Sequence, residues 1–185
     1  MANARISPVS RPVALKAVRV APRPGTRTRG WLTAGAIPIP VALGRGGVRA
    51  DKREGDGATP RGRFRPLQVW WRADRGPRPR TLLPVRRIGR EDGWCEDPAS
   101  RLYNRPIRLA DGNSGDRLWR ADHLYDLIVE LDHNVRPRVA RRGSAIFLHV
   151  ARPNFAATAG CVALTSATLR RLLGRIGPKT RIKIH

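Results

Sequence analysis

The spacing of apolar and polar positions divides the chain into short strands, turns and one helix. In residues 15–21, Val18 and Val20 fall on one face and Ala17 and Arg19 on the other, the period of a half-buried strand. Residues 22–28 (PRPGTRT) read as a turn. Residues 30–33 and 37–43 flank Ala34 and Gly35, a hairpin pattern. Pro38 and Pro40 lack backbone donors, which predicts an edge position for the second arm. Strand character returns in residues 64–71 (FRPLQVWW), and residues 118–122 suggest a short helical turn.

Residues 125–133 alternate well. Leu127, Val129 and Leu131 face one way, and Asp126, Ile128, Glu130 and Asp132 the other. Residues 144–150 are continuously apolar, as in a strand buried on both faces. Residues 165–176 carry a helical stripe of Leu169, Leu172, Leu173 and Ile176. Thr165 or Ser166 can cap it, and Gly177-Pro178 can stop it. Ile182 and Ile184 mark a last strand in residues 180–184. No repeat or linker divides the chain. The expectation is a flexible segment over residues 1–14, then one domain over residues 15–185. Its fold is β-rich: a twisted mixed β-sandwich with one main C-terminal helix.

Composition sharpens this picture in two places. The 16 prolines and 18 glycines favour a turn-rich, strand-rich fold. The net charge of +23 comes from 37 basic and 14 acidic residues, and only Lys16, Lys52, Lys179 and Lys183 among the basic ones are lysines. Such a charge suits an anionic partner, and an arginine-rich codon composition produces it equally well. The arginines are spread along the chain, which argues against specific nucleic-acid binding. Cys95 and Cys161 cannot form a disulfide framework, although one bridge between them stays open. No run reaches the roughly 18 apolar residues of a membrane span. No secretory signal is visible either: the first apolar stretch, residues 31–43, starts late and is broken by prolines. On these grounds the chain reads as cytoplasmic or exported by an unusual route, unless a misplaced start codon hides a signal.

The chemistry concentrates in residues 145–164 (AIFLHVARPNFAATAGCVAL). His149 ends the apolar run, and Cys161 follows in a Thr-Ala-Gly-Cys turn. A thiol attacks as thiolate, and a nearby imidazole can take its proton. Gly160 leaves room for a substrate carbonyl and permits a bend that aims backbone N–H groups at an oxyanion. A buried structural cysteine and a structural histidine are the plain alternatives. Cys95, Cys161, His133 and His149 show no metal-ligand spacing, and no Gly-x-Ser-x-Gly occurs. The glycine-rich loop of residues 44–62 lacks the context of a phosphate cradle. Residues 93–104 form a polar loop whose aromatics either line a site or pin a surface loop.

The run from His149 to Thr158-Ala159-Gly160-Cys161-Val162 resembles the catalytic signature of the YkuD-type L,D-transpeptidases. The segment Thr59-Pro60-Arg61-Gly62-Arg63-Phe64 resembles a second motif of that family, and Tyr103-Asn104 resembles one of its branches. The resemblance covers roughly residues 15 to 185. It implies cysteine-dependent acyl transfer on peptidoglycan stem peptides. Cys161 is the nucleophile, His149 the general base and acid, and Gly160 contributes its backbone to the oxyanion hole. Arg152, Thr158, Tyr103 and Asn104 are the implied substrate-binding residues. No cofactor and no metal is implied, a monomer is favoured, and the implied location is the periplasm or cell envelope. The chain departs from the family pattern at Val150, where glycine is common, and at Ala163, where arginine is common. Arg152 could replace the missing arginine as a carboxylate binder. The rival expectation is a non-catalytic basic module that binds cell-wall glycan or nucleic acid.

Overall fold

A computed structural model describes residues 14–185. The flexible segment expected over residues 1–14 therefore lies, apart from Ala14, outside the described residues. Ten strands form one mixed sheet. In spatial order they are Gly62–Phe64, Arg181–Ile184, Ala17–Pro22, Arg29–Thr33, Pro38–Ala42, Val162–Leu164, Phe147–Val150, Leu127–Leu131, Pro66–Trp71 and Val85–Arg87. The first and ninth of these are joined by Arg65 alone. In a flat sheet they would lie roughly 38 Å apart, and one residue spans roughly 3.4 Å. The sheet must therefore curl until its two ends meet. The Arg65 N–H holds this junction by donating to the Asp132 carboxylate at 2.7 Å.

Curling gives the sheet an inner face that needs no second sheet to cover it. Val18, Val20, Leu32, Val69, Leu127, Val129, Leu148 and Val162 meet there with Leu169, Leu172 and Leu173 of the helix Ser166–Leu173. The other face, at the Leu127–Leu131 end, carries Trp70, Ile128, Phe147 and Cys161. A three-stranded sheet of Asp92–Trp94, Pro106–Arg108 and Asp116–Arg117 adjoins this face and contributes Trp94 to the cluster. Trp94 meets the Phe147 ring edge-on at 5.0 Å and Trp70 at 6.3 Å. The apolar run ending at His149 thus belongs to a strand buried on both sides.

Three expectations change in detail. The prolines do not mark an edge strand, since Pro38–Ala42 has neighbours on both sides. Its second neighbour pairs only at Ala42, opposite Ala163, beyond the proline positions, so no ladder donor is missed there. Residues 118–122 form no helix: they are bends in which the Arg120 guanidinium grips the Asp122 carboxylate at 2.9 and 2.6 Å. The helix ends at Leu173 although the apolar stripe continues. Ile176 is fully buried while its N–H reaches back to the Leu172 carbonyl at 3.1 Å. Thr165 caps the start, its hydroxyl accepting from the Thr168 N–H.

Candidate active site

Phe147–Val150 and Val162–Leu164 run parallel, with Leu148 opposite Val162 and His149 opposite Ala163. Side chains alternate along strands, so His149 and Ala163 share a face. Extending that register by one residue places Cys161 opposite Phe147 on the same face. Cys161 and His149 therefore stand on adjacent strands, and both line a cleft of about 430 Å³. The Phe147 N–H donates to the Cys161 sulfur at 3.4 Å, and the thiol donates to the Ala145 carbonyl at 3.2 Å. His149 Nδ1 lies 2.8 Å from the Val150 carbonyl. A carbonyl can only accept, so Nδ1 carries the proton and Nε2 keeps a lone pair. Tyr125 meets the imidazole edge-on at 5.5 Å. Its hydroxyl donates to Asp116 at 2.7 Å, and Arg120 reaches the same carboxylate at 3.3 Å.

Burial sets the resting charges. It pushes the Cys161 thiol up to about 12, and the carboxylates of Asp116 and Glu96 act in the same direction. Burial also pushes His149 down to about 4, opposed by its bond to the Val150 carbonyl. The resting pair is thus neutral thiol beside neutral imidazole, not the thiolate–imidazolium pair of many cysteine enzymes. Glu96 at the cleft rim is raised to about 7 by desolvation and then by Asp116 and Glu54. One consequence is measurable without substrate. Iodoacetamide labelling of Cys161, located by peptide mass, is expected to be slow at pH 7. Its rate should climb about tenfold per pH unit from pH 8 to 10, because only the rare thiolate reacts. A rate already level at pH 7 would contradict this.

The cysteine turn is stapled from two sides. The Thr158 hydroxyl donates to the Cys161 carbonyl at 2.7 Å and accepts from the Gly160 N–H at 3.1 Å. Thr59, from the Thr-Pro segment, accepts from the Gly44 N–H at 2.8 Å and lies 3.5 Å from the same carbonyl. In the resting structure the Gly160 N–H is donated within the turn. What the glycine supplies is conformation. Its φ is +145°, and a Cβ there would sit 2.9 Å from the Ala58 carbonyl oxygen. Gly160→Ala is therefore expected to cost about 1–3 kcal/mol in urea unfolding and to displace the thiol. Thr158 lines the cleft, but its hydroxyl is committed to the turn.

Tyr103 and Asn104 do not line the cleft; they brace residues that do. Tyr103 donates to the Glu54 carboxylate, which also accepts from Ser144 at 2.7 Å. Buried Asn104 accepts from Trp94 Nε1 at 3.0 Å and from the Ala145 N–H at 3.1 Å. Its amide donates to the carbonyls of His133 and Asn134. Ala145 has φ +51° and holds the thiol proton, so Asn104 secures a bent residue in contact with the nucleophile. Asn104→Ala leaves several buried groups unpaired and is expected to cost about 2–4 kcal/mol by denaturant titration. His133 is structural in its contacts: its Nε2 bonds the Arg142 carbonyl at 3.0 Å and its ring meets Phe64 edge-on.

Arg152 lines the cleft, exposed, and among the described residues it pairs with no carboxylate; the same holds for Arg45. Lys52, Glu54, Glu96, Asp116 and Tyr125 also line the cleft and were not singled out from the sequence. Lys52 and Glu54 sit in the glycine-rich loop, where a charged Lys-Arg-Glu run among glycines is the available signal. Cys95 and Cys161 are both free, so the bridge left open does not form. Among the described residues no group of three or more His, Cys, Asp or Glu side chains could hold a metal ion.

A family model described as the YkuD L,D-transpeptidase catalytic domain matches residues 23–184. The chain belongs to this family. No curated protein and no solved structure matches it. The curled β-rich sheet with one helix agrees with the fold of L,D-transpeptidases. Among the described residues no helix is long and apolar enough to cross a membrane. Membership gives the two departures a physical setting. Val150 packs against the inner core, away from His149, and only its carbonyl serves the imidazole. A side chain in place of glycine there does not obstruct the cleft. Ala163 does line the cleft, so the missing arginine leaves space that Arg45 and Arg152 border.

Proposed function

We propose that this L,D-transpeptidase family member performs cysteine-dependent acyl transfer on peptidoglycan stem peptides. The observation that carries the reading is the shared face of Cys161 and His149 on the floor of one cleft, with His149 Nε2 free to accept a proton. The thiol turns from the Ala145 carbonyl toward Nε2 and gives up its proton. The sulfur attacks the carbonyl carbon of the diaminopimelate residue, whose oxygen becomes the oxyanion. The backbone N–H of Cys161, beside the attacking sulfur, is the donor assigned to that oxyanion. The tetrahedral species collapses: the C–N bond breaks, and His149 returns the proton to the leaving amine of D-alanine. An amine of a second stem, or water, then attacks the thioester, passes a proton to His149 and regenerates the thiol.

Arg152 and Arg45 bind a donor carboxylate, as guanidinium groups without a partner in the protein can. Glu54, Glu96 and Asp116 line the cleft, and an ammonium group of the same donor would favour their ionised forms. Tyr103, Asn104 and Thr158 act by positioning Ala145 and the cysteine turn. The test is incubation with muropeptides, following D-alanine release and new crosslinks. D-alanine with crosslinked product supports transpeptidation, and D-alanine with shortened stems alone assigns a carboxypeptidase. No release at all would overturn the reading in favour of a binding module.

A further inference from the structure

A second, open surface depression, of about 450 Å³, lies beside the segment that follows Arg45. Arg45 faces the catalytic cleft, while Gly46 to Arg49 line this second cavity. Arg23, Arg27, Arg49 and Arg61, all exposed, line it from three stretches of chain together with His185, and the Arg23 guanidinium lies over the Trp31 ring at 5.8 Å. Among the described residues no Asp or Glu side chain lines it. The arrangement is built by the backbone. The Arg61 N–H donates to the Arg49 carbonyl at 2.7 Å, and the His185 N–H donates to the Val20 carbonyl at 3.0 Å. Gly47, at φ +75°, lets that segment lie close against Arg27, where a Cβ would be 3.3 Å from the arginine's own.

The catalytic cleft mixes paired charges with Arg45 and Arg152, unpaired among the described residues, and also holds Glu54, Glu96 and Asp116. There, Lys52 pairs with Asp56, and Arg120 pairs with Asp116 and Asp122. Here, the side chains of Arg27, Arg49 and Arg61 make no hydrogen bond or ion pair with the described residues. Arg27, Arg49 and Arg61 bring three exposed like charges to one surface region with no Asp or Glu side chain among its described lining residues, and a bound anion relieves their mutual repulsion. A carboxylate offers two oxygens and one charge, which one guanidinium fork satisfies. A phosphate offers three oxygens and up to two charges, so two linked phosphates match four guanidinium groups.

We propose that this cavity is an anion site for phosphate-bearing ligands, separate from the catalytic cleft. The phosphate could belong to a soluble molecule or to a lipid headgroup; the recognition chemistry is the same. Calorimetric titration with inorganic pyrophosphate at fixed 150 mM ionic strength, a regime where diffuse charge is screened beyond about 8 Å, tests it. The variant Arg27→Ala/Arg49→Ala/Arg61→Ala is expected to weaken binding about tenfold or more. A control of equal charge, Arg78→Ala/Arg80→Ala/Arg101→Ala, should change it less than about twofold. The glutamine versions of the cavity triple should behave like the alanine ones, with a melting temperature no lower than that of wild type. Phosphatidic acid vesicles, sedimented with the same proteins, assign the source. Capture that falls with the cavity triple marks a headgroup ligand, and pyrophosphate binding without such capture marks a soluble one. Equal weakening by both triples, tricarballylate binding as tightly as pyrophosphate, or no pyrophosphate binding by wild type would overturn the proposal.

Discussion

Cys161→Ala is expected to abolish D-alanine release from a stem tetrapeptide, by at least about 10⁴-fold, while the protein stays folded. The reasoning separates chemistry from stability. Cys161 is 7% exposed and its thiol makes two backbone contacts, to Phe147 and Ala145. Replacing it with alanine removes one sulfur and two weak hydrogen bonds, a loss of about 1–2 kcal/mol that a melting curve can register without collapse. Activity has no such tolerance, since among the described residues lining the cleft there is no other cysteine and no serine in a nucleophile elbow. Cys161→Ser tests the same point more narrowly. A hydroxyl is less acidic than the thiol, and this site already burdens deprotonation through burial and through Asp116 and Glu96. The serine variant should therefore be as inactive as the alanine variant. Activity retained by either would mean that another group attacks.

His149→Gln is expected to lower kcat/KM by about 10²–10⁴-fold, with a pH signature that a merely structural histidine would not give. The imidazole works as a base only while neutral. Burial holds its pKa near 4, so the wild-type acid limb should fall below about pH 5 rather than near the ordinary histidine value of about 6.5. Stability follows the same linkage. The folded pKa lies below the unfolded one, so the unfolded chain binds more protons between them. His149 therefore contributes stability that is complete above pH 6.5 and is lost as pH falls towards 4, at up to about 1.4 kcal/mol per pH unit. His149→Gln should flatten this slope in urea titrations run from pH 7 to pH 4. A slope unchanged by the substitution would place the acid sensitivity elsewhere.

The parts of this molecule that were legible in the sequence are those where one physical cause dominates. Val18 and Val20, Leu127 to Leu131, and the Leu169 to Leu173 stripe announce their elements because burial of one face decides them. The Cys161–His149 pair was legible because a glycine turn follows the end of a doubly buried strand. Elements decided by side-chain bonding were not legible. Asp122 takes the Arg120 guanidinium and breaks the turn expected near Leu118. Pro38 and Pro40 look like edge markers until the register shows the next strand touching only Ala42. In the site, Tyr103 and Asn104 stand out by resemblance, yet they reach the nucleophile only through Glu54, Ser144 and Ala145. The acidic lining of the cleft was invisible because Glu54, Glu96 and Asp116 lie far apart in sequence and meet only when the chain curls.

The departures at Val150 and Ala163 acquire meaning from the same register. Alternation turns Val150 inward, so its side chain is irrelevant to the imidazole, while Ala163 faces the cleft beneath His149. If the chain takes the proposed donor, a partner for its carboxylate can come from the loop that follows His149 or from the glycine-rich segment. Arg152 and Arg45 occupy those two places.

The most direct test of the account is intact-mass spectrometry of the protein during turnover of a stem tetrapeptide. The expected result is a covalent adduct equal to the donor less D-alanine, located on Cys161 by peptide mapping and released by hydroxylamine as a thioester. It should be absent from Cys161→Ala. An adduct on another residue, or D-alanine release by wild type and Cys161→Ala alike, would contradict it.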